Sequence, residues 1–221
     1  MGTIRRITAI TPTKRNPQRA TVRVGAKVVA TLSIKLIAEL GLKVDQAWDE
    51  ALGAQVAEAV VYDKAMREAI RRLNRRAMSR QQLDHKLRDL GHDQRVRVRV
   101  LDRLTDLNVL NDEAFGRALI RDTQLRKAAG PKLLRAKLTQ CGLERMLVDR
   151  LVEQATGGHD LVSEAAALAR RRMRSMRRLD SVGRKRRLWG LLARRGFDPD
   201  TIEQALQQLP AVNNVEPGNE Q

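Results

Sequence analysis

The stretch Leu83-Asp-His-Lys-Leu87-Arg-Asp-Leu-Gly91 decides the fold, because the chain repeats it twice. It returns as Leu134-Arg-Ala-Lys-Leu138-Thr-Gln-Cys-Gly142 and as Leu188-Trp-Gly-Leu-Leu192-Ala-Arg-Arg-Gly196, offset by 51 and 54 residues. Two leucines four apart share one face of a helix, and a glycine four residues later is the residue best able to end that helix in a left-handed cap. A period near fifty marks an array of small helical units, each unable to bury its apolar face alone. An array offers a long surface, and long surfaces suit long partners.

The boundaries of these units carry helix start and stop signals. Ser79-Arg-Gln-Gln82 is a capping box, Asp93 caps the following helix, and Asn111 and Asp112 open the second unit. Gly130-Pro131 and Asp198-Pro199 place proline at a first helical position, where its missing N–H is harmless. Each unit therefore has three helices. The last helix of each is expected to turn Val96, Val100, Leu104 and Leu107, then Met146, Leu147 and Leu151, then Ile202, Leu206 and Leu209 inward. Arg95-Val-Arg-Val-Arg-Val100 alternates like a strand, yet its place in the repeat and the Asp93 cap favour helix.

The amino-terminal part reads differently. Ile4, Ile7 and Ile10, the alternation Thr21-Val-Arg-Val24, the turn-prone Gly25-Ala-Lys27 and the run Val28–Leu32 predict a hairpin or small sheet. Helices are expected from Ser33 onward, one broken by Gly41 and one running from about Asp45 through Trp48 and Val60. The reading is a mostly α protein of tandem three-helix repeats in an elongated array, with a small N-terminal β-hairpin element. Its parts are an N-terminal hairpin-plus-helices region 1–60, repeats at 61–110, 111–157 and 158–209, and a polar, disordered tail 210–221.

The net charge of +17 concerns partners rather than fold. It points to a polyanion: nucleic acid or a nucleoprotein assembly. No apolar segment approaches the length of a membrane span, and no signal-peptide pattern opens the chain, so a cytoplasmic location is expected. Cys141 is alone and reads as a small core residue. The histidines His85, His92 and His159 read as solvated, as do Asp49 and Asp63, and nothing resembles a nucleophile, a base or a metal cage. No enzyme activity, cofactor or metal is expected.

The arginines carry more information. Arg170, Arg171, Arg172, Arg174, Arg177, Arg178, Arg184, Lys185, Arg186, Arg187, Arg194 and Arg195 crowd a segment with one acid, Asp180. Such crowding repels itself until phosphates supply counter-charge. Arg95, Arg99 and Arg103 add a second stripe along one helix face. Aromatics number five (Trp48, Tyr62, Phe115, Trp189 and Phe197), with Trp189 and Phe197 expected in the core. Base stacking on an aromatic platform is thus disfavoured, and contact should fall mostly on phosphate.

In order along the chain, several segments resemble the RecX regulatory proteins, bacterial modulators of the RecA recombinase. They are Ile7-Thr-Ala-Ile10 with the hairpin, Ala77-Met-Ser79 with the Leu83/Leu87/Gly91 motif, Leu107–Gly116, Gly130–Gly142 and Leu191–Phe197. The similarity spans about residues 4 to 209. Ala77, Asn108 and Gly116 stand where that family usually has arginine, glycine and alanine; asparagine tolerates the left-handed turn, and Gly116 is expected to loosen its helix. The resemblance implies an extended, curved, modular protein lying in the groove of the RecA–DNA filament. It would bridge protomers, inhibit ATPase and strand exchange, modulate recombination, DNA repair and the SOS response, and bind single- and double-stranded DNA. An array needs no second copy, so a monomer is expected. The residues alone also accommodate a sequence-nonspecific architectural protein, or a helix-turn-helix-like DNA-binding regulator.

Overall fold

The computed structural model describes residues 5–176 and 179–209. The expected tail, Ile4, Arg177 and Arg178 lie outside the described residues. The chain divides into two compact units: one runs to Ala77 and adds Leu83–Leu110, and the other joins Met78–Gln82 to the chain from Asn111 onward.

In the first unit, three antiparallel strands, β1 (Ile7–Thr13), β2 (Asn16–Val24) and β3 (Lys27–Ser33), lie in sequence order. The expected hairpin is β2–β3, closed at Gly25 with φ +60° and pairing Val24 with Lys27. One face of the sheet supplies Ile7, Ala20, Val22 and Leu32 to a core completed by helix α1 (Ile34–Glu39) and by Leu52, Val56 and Ala59 of α2 (Glu50–Leu73). This packing stabilises strands that could not persist alone in water.

Helix α2 begins at Glu50, not near Asp45. Asp45 is left-handed at φ 64°, and Asp45 and Trp48 donate their N–H groups to the carbonyls of Ile7 and Arg5. Backbone bonded to the sheet edge is unavailable to a helix, and Asp49 then caps α2 through the Leu52 N–H at 2.7 Å. The helix runs unbroken through residue 60. Asp63 is buried rather than solvated: its Oδ2 accepts from Arg19 at 2.7 Å and Arg67 at 3.2 Å.

Helix α3 (Arg80–Asp89) carries the fold-deciding stretch, and Leu83 and Leu87 are both fully buried. Gly91 closes it at φ +80°. Helix α4 (Gln94–Asp106) shows that the Arg95–Val100 alternation is helical, burying Val100, Leu101 and Leu104. Leu107 instead lies 51% exposed at the C-cap. His92 is likewise not solvated: the left-handed turn tucks it inward, where Nε2 meets Glu68 Oε2 at 2.7 Å. Asn108 adopts the left-handed turn at φ 54°.

The second unit holds α5 (Asp112–Arg126), α6 (Pro131–Gln140), α7 (Arg145–Thr156), α8 (Leu161–Met173), α9 (Ser181–Arg194) and α10 (Pro199–Gln207). Leu134, Leu138, Leu188 and Leu192 are at most 1% exposed, and Gly142 and Gly196 take φ +79° and +81°. The repeated spacing is thus a repeated conformation. One core gathers Ile120, Leu134, Leu138, Val148, Leu151 and Val152; the other packs Ala165, Ala166 and Ala169 of α8 against Leu188, Leu192, Phe197, Ile202 and Leu206.

Further expected core residues are exposed or only half-buried. Met146 is 74% exposed because α7 buries the face of Val148, Leu151 and Val152. Trp189 is 37% exposed, a helical step away from Leu188. Leu147 is half-buried at the edge of its cluster, as is Cys141. Gly116 serves packing: a methyl there would meet Leu151 Cδ1 at 2.5 Å and Leu143 Cδ2 at 2.9 Å. The glycine admits leucines where alanine would displace them.

Candidate nucleic-acid interface

Helix α8 explains how the site forms. Its buried face is Ala165, Ala166 and Ala169, so Glu164, Ala167, Arg171 and Arg172, a step round the helix, face away from the core, and half-buried Leu168 lies at its edge. They line an open cleft of about 1160 Å³. Gln124, Arg126 and Lys127 at the end of α5 form another side, and Ala128, Ala129 and Leu191 contribute apolar surface. Arg174, Ser175 and Arg195 complete it.

A backbone junction holds these parts together. The Gly130 N–H donates to the Arg195 carbonyl at 2.8 Å, and the Lys132 N–H donates to the Gly196 carbonyl at 3.0 Å. Donors left over at the start of α6 thereby meet acceptors left over at the end of α9. Glycine at 130 permits the approach, since a Cβ there would sit 2.5 Å from the Gly196 backbone. A related contact recurs one repeat earlier, where the Ser79 hydroxyl donates to the Cys141 carbonyl at 2.5 Å. Ser79 also accepts from the Gln82 N–H at 3.1 Å, which realises the capping box.

The cleft is strongly cationic. Arg126, Lys127, Arg171, Arg172, Arg174 and Arg195 line it, and Glu164 is its one carboxylate. That carboxylate already engages His159 Nδ1 at 2.9 Å. Among the described residues the ion pairs form elsewhere, and none takes up these six cations. Guanidinium groups at this density, without an ion pair among the described residues, suit phosphate, which they grip through paired N–H donors.

The structure thus brings together Arg171, Arg172, Arg174 and Arg195 from the expected cluster. It adds Arg126 and Lys127, which sequence reasoning missed; a basic pair just before Gly130-Pro131 was the available signal. Arg170, Arg184, Lys185, Arg186, Arg187 and Arg194 do not line the cleft.

The Arg95, Arg99 and Arg103 stripe sits in a different chemistry. In the first unit it lines a groove shared with Glu39, Tyr62, Asp93, Asp102 and Asp106. Arg99 lies 4.6 Å over the Tyr62 ring and donates to Glu58 at 3.1 Å. Burial pushes the Tyr62 phenol up, with the nearby arginines pulling the other way. Mixed charge around an aromatic ring resembles a protein-facing surface more than a phosphate track.

Among the described residues no His, Cys, Asp and Glu group is placed to hold a metal, and no helix is long and apolar enough to cross a membrane.

The chain is similar to known proteins. Residues 160–206, which supply most of α8 to α10, match the family described as "RecX, third three-helix domain". The chain is 30% identical over 155 residues to the "Regulatory protein RecX" of Pelodictyon phaeoclathratiforme, covering 69% of this chain and 94% of that one. It is 34% identical over 146 residues to the "Regulatory protein RecX" of Prosthecochloris aestuarii, covering 66% and 93%. A solved structure, "Crystal structure of regulatory protein RecX", superposes with a TM-score of 0.82 at 20% identity over 93% of this chain and 100% of that one, which shows a common fold. Nearly full coverage of its relatives, at an identity that chance does not sustain over such lengths, places this chain in the RecX family of regulatory proteins.

Proposed function

We propose that this protein binds the RecA–DNA nucleoprotein filament and inhibits its ATPase and strand-exchange activities, acting by binding rather than by catalysis. The observation that carries the reading is the cleft of unpaired cations on a family-typical scaffold. Phosphate contact releases condensed counterions and so supplies affinity without sequence preference. The partners are the recombinase and DNA, single- or double-stranded, and the protein acts as a monomer. Of three three-helix repeats, at 61–110, 111–157 and 158–209, the third carries the basic residues Arg170, Arg171, Arg172, Arg174, Arg177, Arg178, Arg184, Lys185, Arg186, Arg187, Arg194 and Arg195. The Arg95/Arg99/Arg103 groove contacts protein within the filament, as its alternating charges favour.

Titrating the protein into recombinase ATPase assays on single-stranded DNA tests this. Hydrolysis should fall as the protein saturates the filament. Unchanged hydrolysis and strand exchange at saturation would refute the proposal. Retention of recombinase in a pull-down without DNA separates it from a general architectural protein, which would retain none.

A further inference from the structure

The cleft of the second unit combines two surfaces that a duplex cannot use together, and we propose that it is a seat for single-stranded rather than double-stranded nucleic acid. This rests on the reading of the protein as directed to nucleic acid.

Cations stand on separate sides: Arg126 and Lys127 from the end of α5, Arg171 and Arg174 from the end of α8. The same lining includes Ala128, Ala167, Leu168 and Leu191, which are apolar and at least partly exposed. A duplex shows phosphates and groove edges to its surroundings, with its base faces stacked inside. It can satisfy the cations but has no base face to lay on the apolar side chains. A single strand can turn phosphates to the cations and base faces to the apolar side chains. The cleft's volume of about 1160 Å³ lies above the range of roughly 300–1,000 Å³ usual for small-molecule pockets, which favours a short run of nucleotides over one. Gln124, His159 and Ser175 also line the cleft and can hydrogen-bond the base edges that a single strand leaves unpaired.

The test compares a labelled oligothymidylate with a duplex of the same length, using the full chain. Arg126→Gln with Lys127→Gln should weaken strand binding about tenfold and reduce the slope of log affinity against log salt by about 1.4, at about 0.7 for each lost phosphate contact. A charge-matched control, Lys14→Gln with Arg15→Gln in the β1–β2 turn, should change it less than about twofold. Ala167→Trp, at an exposed position on the cleft wall, should tighten strand binding at least about fivefold by giving a base a ring to stack on. Duplex affinity should be unchanged in that variant. Equal effects on duplex and strand, equal loss in the control, or tighter binding of polyglutamate than of the strand would each overturn the proposal. Strand binding that behaves as stated with no effect on recombinase ATPase supports the cleft and refutes only the filament reading.

Discussion

At the scale of single residues, burial decides more than residue type. Asp63, inside α2, and His92, in the turn after α3, are polar residues, and each is less than a tenth exposed. Asp63 is held by Arg19, which also donates to the Thr31 carbonyl at 2.6 Å and so ties α2 to the sheet. Removing one partner of a buried pair strands the other charge, so Asp63→Ala should destabilise the protein by about 3–5 kcal/mol. Urea unfolding followed by far-UV circular dichroism measures this; a loss under about 1 kcal/mol would mean that Arg19 reaches water once freed. Leu138 is fully buried against α7. Leu138→Ala should cost about 2–5 kcal/mol by removing contacts and leaving a cavity. An unmoved unfolding midpoint would show that the site collapses without penalty.

At the scale of elements, carboxylate caps fix where helices begin. Asp198 accepts from the Thr201 N–H at 2.9 Å and from its hydroxyl at 2.7 Å, which holds its carboxyl below the usual range. Glu68 is lowered by its hydrogen bond to His92, and Asp160 by its bonds to Ser163. For all three the folded value lies below the unfolded one. Their stabilisation is therefore present above the unfolded carboxylate range, near pH 4, and is lost as pH falls through the folded values. Melting temperature should drop as pH is lowered through that window. Asp198→Asn, which keeps the acceptor but not the charge, should lower Tm at neutral pH and make the acid drop shallower; parallel melting curves for both proteins would assign the pH dependence elsewhere. The three capping signals at Ser79, Asp93 and Asp198 were legible because caps are local: acceptor and donor lie two or three residues apart. The start of α2 was not, because hydrogen bonds from Asp45 and Trp48 to β1 and the residues before it override local helix preference.

At the scale of the whole molecule, the excess of positive charge is the property that bears most on function. The paired arginines, such as Arg97 with Asp84 at 2.8 Å and Arg117 with Glu113 at 2.8 Å, brace helices. Among the described residues, the six cations at the cleft take part in no ion pair. Arg171→Glu with Arg174→Glu should weaken binding to DNA and to the recombinase filament and flatten the dependence of log affinity on log salt. Filter binding across a salt series checks it, and an unchanged slope would assign these residues to a merely solvated surface. Membership of the RecX family was legible in the order of short motifs, none of them specific alone.

The sequence by itself determined the helices of the repeats, the caps and glycines at most of their ends, the buried leucine pairs and the sign of the charge. Each depends on a spacing of a few residues, and such spacings repeat along the chain. Only the tertiary structure decided that Arg126 and Lys127 join Arg171, Arg174 and Arg195 around one cleft, because that convergence depends on Gly130 bonding to Arg195 across 65 residues. It also decided that Asp63 and His92 are buried and that Trp189 and Met146 are exposed. A residue's periodicity says which helical face it shares, but what covers that face is set by whichever distant segment packs there.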